Sequence, residues 1–369
     1  MKIDQIIIYH VRMKLKSPFE TSFGRNAYRD CLIIKVLSDG LSGYGECAAD
    51  KDPGYSYETS ETAWHIAKDY LGPILLKQNS VHPNDFLPLV KGIRGHNMAK
   101  AGVEMALWDL WGKREGKSLK KLLGGVLDEV PVGVSLGIEK SVSEMVEKVS
   151  AYVEKGYQRV KVKIKPGQDK DTLSAIRNKF PRLPLQVDAN SAYTLEEIES
   201  IKKLDVFNLL LIEQPLAEDD LWDHHLLQKE INTQICLDES IISVRHARQA
   251  IEMKACGIIN IKAGRVAGLS QAVAIHDLCL EKKIPVWCGG MLETGVGRSS
   301  NLALASLPNF VLPGDISASD RYYEEDIIEE EFILNNNSTV DVPDFPGLGV
   351  NINQSKLDKV TLKTNVLKP

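Results

Sequence analysis

The sequence predicts an α/β protein in which a TIM-type (β/α)7β barrel carries an α+β capping domain. Two observations support this prediction. From residue 130 onward, short β-rich runs alternate with helical patterns, which is typical of parallel βαβ units. Six of these runs carry a residue near the carboxyl end at an almost constant spacing. These residues are Lys163, Asp188, Glu213, Asp238, Lys262 and Trp287, and they are 25, 25, 25, 24 and 25 positions apart. This is the pattern expected of a barrel, whose active site lies at the carboxyl ends of the strands.

Eight β-rich runs define the predicted barrel. They cover residues 130–138, 159–164, 184–190, 209–216, 235–240, 258–264, 285–291 and 310–316. The segments between most of them have helical periodicity, for example 141–156 and 243–257. The whole span is short for eight full units, which usually need about 250 residues. We therefore expect seven helices and a final strand that closes the ring.

The residues before and after the barrel have a different pattern. Strand-like runs come first in the chain, and helical patterns follow them, for example at 57–71 and 97–116. This order indicates an α+β module over residues 1–125. The tail, residues 320–369, lacks the barrel period, so we expect it to complete this cap. The barrel domain is then predicted to cover residues 126–319.

Composition excludes several classes of function. The 369-residue chain has a net charge of −5 and a pI of about 6.0, so we do not expect nucleic-acid binding. Its six cysteines form no Cys-x-x-Cys pair, which predicts a reduced, cytoplasmic protein. No run reaches the about 18 apolar residues of a membrane span, and the first residues do not resemble a signal peptide. The sequence does not decide between a monomer and a homo-oligomer.

Three acids in the repeating phase predict a metal site. Asp188, Glu213 and Asp238 end the third, fourth and fifth strands, which are neighbours in a closed barrel. Three inward carboxylates would repel each other strongly in a low-dielectric site unless a cation neutralises them. Ligation by oxygen alone suits Mg²⁺, with Mn²⁺ as a substitute. The alternative is that each acid caps the helix that follows it.

Two lysines in the same phase predict acid–base chemistry. In the second run Lys161, Lys163 and Lys165 alternate with aliphatic residues and share one face of the strand. Lys163 on strand two and Lys262 on strand six would face each other across the barrel mouth, with a carboxylate substrate between them. Burial beside a dication, other amines and Arg265 would lower the lysine pKa from about 10.4, as a base near neutral pH requires. The metal would stabilise the enediolate that proton removal leaves.

Residues next to these positions have predicted supporting roles. We assign Lys161, one pleat deeper than Lys163, to the substrate carboxylate or the enediolate oxygen; the alternative is a buried amine paired with a barrel acid. Asn190 and Glu239 follow predicted ligands, and we interpret them as groups that orient a ligand or a lysine. For Glu239 the alternative is an acid at the start of a helix.

Other positions are predicted to contact a small carboxylate substrate. Ser135 lies on the first predicted strand. Gly289, Gly290 and Met291 end the seventh run, where the two glycines remove side chains at a point where a bulky substrate could approach the backbone. The alternative for the two glycines is an ordinary turn.

Two segments of the cap are predicted to be aromatic loops that close over the mouth and exclude water. They cover residues 17–24 and 50–58 and supply Phe19, Phe23 and Tyr55. The alternative is that these three aromatic side chains belong to the core of the cap.

Together these residues resemble the muconate-lactonizing subgroup of the enolase superfamily. The matching motifs are KVK at 161–163, DAN at 188–190, EQP at 213–215, DES at 238–240 and the lysine at 262. In that superfamily a Lys or His base acts with Mg²⁺ to form an enediolate. The resemblance implies acid–base roles for Lys163 and Lys262 and metal ligation by the three acids.

The motif WCGGMLETGVGR at 287–298 is similar to the o-succinylbenzoate synthases of menaquinone biosynthesis, particularly the branch that also racemises N-succinylamino acids. The pattern from Lys262 to Arg265 agrees, although Ala263 stands where that branch has proline. The resemblance implies dehydration of 2-succinyl-6-hydroxy-2,4-cyclohexadiene-1-carboxylate, with N-succinylamino acid racemisation as the alternative main role.

Other members of the superfamily are less compatible with the sequence. Dipeptide epimerases tend to carry Asp-x-Asp after the last strand, whereas here Asp315 is followed by Ile316 and Ser317. Sugar-acid dehydratases place a His near strand seven, and residues 285–291 contain none. Muconate cycloisomerases share the lysines and the acids, so only the substrate-contacting residues would exclude them. A metal-stabilised scaffold without activity is a further hypothesis, disfavoured because a polar interior is costly without use.

Overall fold

A computed structural model describes residues 1–21, 24–167 and 169–369 of the chain. Its elements form an antiparallel sheet with helices at the start of the chain and a ring of parallel strands from residue 134 onward. Within the described ranges, no helix is both long and apolar enough to cross a membrane.

The cap is built on a four-stranded antiparallel sheet. Its strands are β1 (Gln5–Thr21), β2 (Gly24–Ser38), β3 (Leu41–Cys47) and, from the end of the chain, β13 (Thr361–Leu367), in the order β13-β1-β2-β3. The tail therefore returns to the first strand, with Ile6 opposite Leu367. The prediction of a loop over 17–24 is wrong for residues 17–21, which continue β1. Phe23 lies outside the described residues.

This sheet is buried on both faces. Ile6 and Ile8 pack into the core of the cap helices, whereas Val11 and Met13 pack into the core shared with the barrel. Alternate residues of a strand point to opposite faces. Burial on both sides explains why β2 contains the almost uninterrupted apolar run from Cys31 onward.

The cap helices pack closely against the sheet. They are α1 (Ser60–Ile66), α2 (Gly72–Leu76), α3 (Phe86–Leu89), α4 (Asn97–Glu115) and α5 (Leu119–Leu123). A Cβ atom on Gly45 of β3 would lie 2.2 Å from the carbonyl oxygen of Gly102 in α4. Glycine is therefore what allows the backbones of β3 and α4 to approach each other.

Seven parallel strands form most of the barrel, and each neighbours the next along the chain. They are β5 (Val134–Leu136), β6 (Val160–Lys163), β7 (Leu185–Asp188), β8 (Ile212–Glu213), β9 (Ile235–Leu237), β10 (Ile258–Ile261) and β11 (Val286–Cys288). The helices between and after them are α6 (Val142–Glu154), α7 (Asp169–Lys179), α8 (Ile198–Lys202), α9 (Leu221–Glu230), α10 (Val244–Met253), α11 (Leu269–Lys282) and α12 (Gly295–Ala305).

The eighth β-rich run closes the ring without becoming a regular strand. Single parallel bridges join Phe310 to Val286 and Gly314 to Val132. The amide of Asp315 also donates to the carbonyl of Cys288 at 2.9 Å. The predicted (β/α)7β barrel is thus confirmed. The remaining strands and α-helix of the described residues are β4 (Glu129–Pro131) and β12 (Thr339–Asp341), which form a short ribbon, and α13 (Gln354–Val360).

Candidate active site

The repeating residues meet at one end of the barrel. The strand register places Lys163 opposite Asp188, and Asp188 opposite Glu213. Asp238 and Lys262 each directly follow a strand, β9 and β10. The carboxylates of the three acids are almost fully buried, as are the amines of Lys161 and Lys262. The sequence phase therefore corresponds to a single polar cluster in space.

Lys161 lies at the centre of a cluster of acids. Its ammonium group is 3.1 Å from Asp188, 2.8 Å from Glu213 and 2.7 Å from Asp315. It also lies over the ring of Trp287, 4.9 Å from the ring centre, and forms a cation–π interaction with it. The paired-amine interpretation of Lys161 thus matches the structure.

Lys163 is held at the edge of the same cluster. Its Nζ donates to Asp188 Oδ2 and to Asn190 Oδ1, both at 2.6 Å. Asn190 in turn donates from Nδ2 to Glu239 at 2.9 Å. Asn190 thus links Lys163 to Glu239, and its role in orienting the lysine stays a prediction. The helix-start alternative for Glu239 is wrong, because the next helix, α10, begins at Val244.

Lys262 has a matching arrangement on the opposite side. Its Nζ donates to Asp238 Oδ2 at 2.6 Å and to the hydroxyl of Tyr55 at 3.2 Å. The Tyr55 hydroxyl donates to Asp238 Oδ1 at 2.8 Å, and the guanidinium of Arg265 contacts the same oxygen. Arg265 also donates to the backbone carbonyls of Ile241 and Asn260, at 2.7 and 2.6 Å. Tyr55 and Arg265 thus fix the Lys262–Asp238 pair.

The network shifts the ionisation of its members. Burial disfavours charge on Asp188, but Lys163 and Lys161 outweigh it and hold the pKa of this carboxyl well below its usual range. Burial, and then Asp188, raise the pKa of Glu213 far above its ordinary value. Burial would lower the pKa of Lys262, but Asp238 leads the groups that raise it well above its ordinary value. The sequence predicted a lowered lysine pKa beside a bound dication; in the protein alone the carboxylates dominate and raise the pKa of Lys262.

The acids have the chemistry of a metal site. Within residues 1–21, 24–167 and 169–369, no group of three or more His, Cys, Asp or Glu side chains is arranged to hold a metal ion, since ammonium groups face these carboxylates. The donor set nevertheless fits a hard divalent cation, because it offers oxygen only and Asp188 already destabilises a charge on Glu213. The capping alternative is wrong, because the N-cap residues of the helical segments that follow the three acids are Thr194, Asp220 and Ser243.

A cavity of about 330 Å³ lies between this cluster and the cap. The predicted site residues that line it are Phe19, Tyr55, Ser135, Lys161, Lys163, Asn190, Lys262, Gly290 and Met291. The three acids, Glu239, Arg265 and Gly289 are not among the residues that line it. A Cβ on Gly289 would be 2.3 Å from Asn260 Oδ1 and 2.6 Å from Lys262 Cε, so this glycine makes room for the lysine.

Three residues of the site were not predicted from the sequence. Asp315 bridges Lys161 and Arg159, at 2.7 Å from each. Asn260 donates to Glu213 Oε1 at 2.7 Å. Arg29 comes from the cap and lines the cavity. Asn260 lies two residues before Lys262, on the same face of its strand, and this alternation was a signal that could have identified it.

Comparison with known proteins gives two family matches and several related proteins. Residues 3–124 match the family model of the mandelate racemase / muconate lactonizing enzyme N-terminal domain, and residues 144–356 match the enolase C-terminal domain-like family. An o-succinylbenzoate synthase of Geobacillus stearothermophilus is 48% identical over 362 residues, 98% of this chain and 96% of that protein. An N-succinylamino acid racemase of an Amycolatopsis species is 46% identical, with 98% of each chain covered.

A solved structure shows the same fold. A member of the enolase superfamily from Listeria innocua superposes with a TM-score of 0.96 at 42% identity, covering 100% of this chain and 99% of the other. The chain therefore belongs to the mandelate racemase and muconate lactonizing enzyme family of the enolase superfamily.

Proposed function

We propose that this enzyme is an o-succinylbenzoate synthase, which dehydrates 2-succinyl-6-hydroxy-2,4-cyclohexadiene-1-carboxylate to o-succinylbenzoate in menaquinone biosynthesis. The observation that carries the proposal is the pair of lysines, Lys163 and Lys262, on opposite sides of the row of acids and in one cavity. This arrangement suits removal of a proton next to a carboxylate. Relatives at 43–48% identity with the same name support the substrate assignment.

In the proposed reaction Lys163 removes the proton on the carbon next to the substrate carboxylate. The electron pair of the broken C–H bond moves into the carboxylate to form the enediolate, and Lys262 stabilises its negative charge from the opposite side. The electrons then return, the C–O bond to the ring hydroxyl breaks, and the Lys163 ammonium gives its proton to the leaving hydroxide, so that one molecule of water is lost and the free amine is restored. Lys161, fixed by its acids and by Trp287, contributes a further positive charge at the cavity wall.

Members of this family generally depend on a divalent metal ion. We propose Mg²⁺, with Mn²⁺ as a substitute, held by Asp188, Glu213 and Asp238. When bound, the cation supplies positive charge for the substrate carboxylate. We also propose the division into a cap of residues 1–125 and 320–369 and a barrel of residues 126–319, which the return of β13 to the cap sheet supports. A reduced, cytoplasmic setting stays a prediction, in line with six buried and unpaired cysteines.

A second candidate function is N-succinylamino acid racemisation. The symmetry of the site favours it, since Lys163 and Lys262 each lie 2.6 Å from a carboxylate on their own side. One lysine would remove the α-proton from one face and the other would return a proton to the opposite face. Relatives named N-succinylamino acid racemase, at 46% and 43% identity, support this activity.

A paired assay separates the two functions. One Mg²⁺-loaded preparation is given the cyclohexadiene precursor and, separately, N-succinyl-phenylalanine. We expect a much higher kcat/KM for dehydration. Comparable or inverted values would favour the racemase as the main role, and no turnover of either substrate would contradict both proposals.

A further inference from the structure

The loop after the seventh barrel strand forms one wall of the cavity and has a strained backbone. Gly290, Met291 and Leu292 all line the cavity. Leu292 has a φ of 58°, in the left-handed region that non-glycine residues rarely adopt. A Cβ on Gly290 would meet the carbonyl oxygen of Asp315 at 2.4 Å, so the loop is also pressed against the closing segment of the barrel. Such a conformation persists only where surrounding contacts enforce it.

Arg29, on strand β2 of the cap, supplies one of these contacts. Its side chain is 3% exposed. Nε donates to the carbonyl of Met291 at 3.1 Å, and Nη2 donates to the carbonyl of Ala48. Nη1 lies 3.2 Å from Asp50 Oδ1. All three partners line the cavity: Ala48, Asp50 and Met291. The single guanidinium group of Arg29 therefore holds three residues of the cavity wall in fixed positions relative to one another.

Other groups restrain the same loop. The hydroxyl of Tyr323 donates to the carbonyl of Leu292 at 2.5 Å. Glu293 accepts from the amide of Met291 at 2.7 Å. From β3, Glu46 accepts from the amide and the hydroxyl of Thr294, at 3.0 and 2.7 Å. The cap therefore holds a substrate-facing loop of the barrel from two of its strands.

We propose that Arg29 is a positioning residue that fixes this loop and thereby sets the affinity for the substrate; the identity of that substrate rests on the proposed function. The hydrogen bonds and ion pairs of Arg29 in the described part of the chain go to Met291, Ala48 and Asp50. They do not involve the lysines or the three acids. Loss of Arg29 therefore displaces the wall but leaves the groups that move protons unchanged.

The kinetic test uses Arg29→Lys. Lysine keeps the charge but lacks the planar fork that reaches three acceptors at once. We expect KM to rise about tenfold, with kcat within about threefold of the wild-type value. Arg12→Lys is the matched control, because Arg12 forms a similar forked pair with Asp30 and does not line the cavity. Equal KM values in Arg29→Lys, Arg12→Lys and the wild type would overturn the proposal, whereas a merely structural role would lower the thermal stability and leave KM unchanged.

A second readout does not depend on activity. Amide hydrogen exchange of the 289–294 segment is measured in the wild type and in both variants. We expect exchange to be about tenfold faster in Arg29→Lys alone, and unchanged exchange would overturn the proposal. A wild type inactive on both substrates, together with a loosened loop in Arg29→Lys, would contradict the proposed function and still support the restraint.

Tyr323→Phe keeps the test decisive if an Arg29 variant does not fold, since it removes one hydroxyl from the same loop and no charge. It is expected to raise KM and loop exchange in the same direction. An unchanged KM and unchanged exchange in this variant would count against restraint of the loop as a determinant of affinity.

Discussion

The ammonium group of Lys163 lies 2.6 Å from Oδ2 of Asp188, on the neighbouring strand. The same distance joins Lys262 to Asp238 on the other side of the barrel. The partners are 25 and 24 residues apart in the sequence, which is one barrel unit. The unit length therefore places one lysine–acid pair on each side of the cavity, and the proposed two-sided chemistry depends on this symmetry.

Replacing Lys262 with alanine tests the symmetry directly. In a two-base racemisation each lysine serves one face of the α-carbon, so Lys262→Ala should stop α-proton exchange with deuterated water from one enantiomer of N-succinyl-phenylalanine and spare the other. NMR of each enantiomer measures this exchange. Lys229→Ala, an exposed lysine on α9, is the control and should leave both rates unchanged. Equal loss from both enantiomers would contradict the two-base scheme.

Asp315 is expected to be important for stability as well as for the site. It is buried and joins Lys161 to Arg159 at 2.7 Å from each. Asp315→Asn leaves two buried cations short of one negative charge, and we expect a loss of about 3 kcal/mol in the free energy of unfolding. Urea unfolding followed by circular dichroism measures it. Asp320→Asn, which breaks an exposed pair with Lys155, should cost less than about 1 kcal/mol; equal losses would contradict this account of Asp315.

Most of the fold could be predicted from the sequence because the barrel repeats. The strand–helix period and the phase of the polar residues are local signals, and they identified the seven regular barrel strands. The eighth run was predicted as a strand. It forms only single bridges to its two neighbours, at Phe310 and at Gly314. Residues 17–21 were predicted as a loop, but they pair with the start of β2, with Phe19 opposite Asn26.

The close contact between β3 and α4 gives a further prediction for the cap. Gly45→Ala would place a Cβ atom 2.2 Å from the carbonyl oxygen of Gly102 and 2.5 Å from the amide of Ala106, both rigid backbone. We expect destabilisation of at least about 1–3 kcal/mol, measured by urea unfolding. Gly92→Ala is the control, because no atom lies within 4 Å of the added Cβ. A Gly45→Ala protein as stable as this control would show that the sheet and helix can separate freely.

The pH dependence of stability has a predictable component at Asp30. Burial opposes its charge, but His10 and Arg12 hold the pKa of this carboxyl at about 2, below its ordinary value of 3.8. An acid whose pKa is lowered on folding adds stability above its unfolded pKa and loses it as the pH falls through the folded pKa. The wild type should therefore lose more free energy of unfolding between about pH 4 and pH 2 than Asp30→Asn. Parallel pH profiles of the two proteins in urea unfolding would contradict this.

The centre of the site was predicted because its residues follow the barrel period. Lys163, Lys262 and the three acids share one phase, so their meeting could be inferred without a structure. Asp315 lies in the eighth run, which has no regular register, and Arg29 comes from a sheet that has no barrel period. Their contacts with the site depend on how the cap packs on the barrel, a long-range relationship that local patterns do not contain. The raised pKa of Lys262 likewise depends on distances to Asp238 that no spacing rule supplies.

The most direct test of the central claim is turnover by Lys163→Ala. Circular dichroism and Mg²⁺ binding of this variant should match the wild type, because the lysine lies at the cavity edge and the three acids remain. If Lys163 is the base, dehydration should fall by at least about 100-fold, while Lys165→Ala, two residues further along and past the end of β6, should keep a near-native rate. A folded Lys163→Ala enzyme that retains a near-native rate would remove Lys163 from the mechanism and contradict the account.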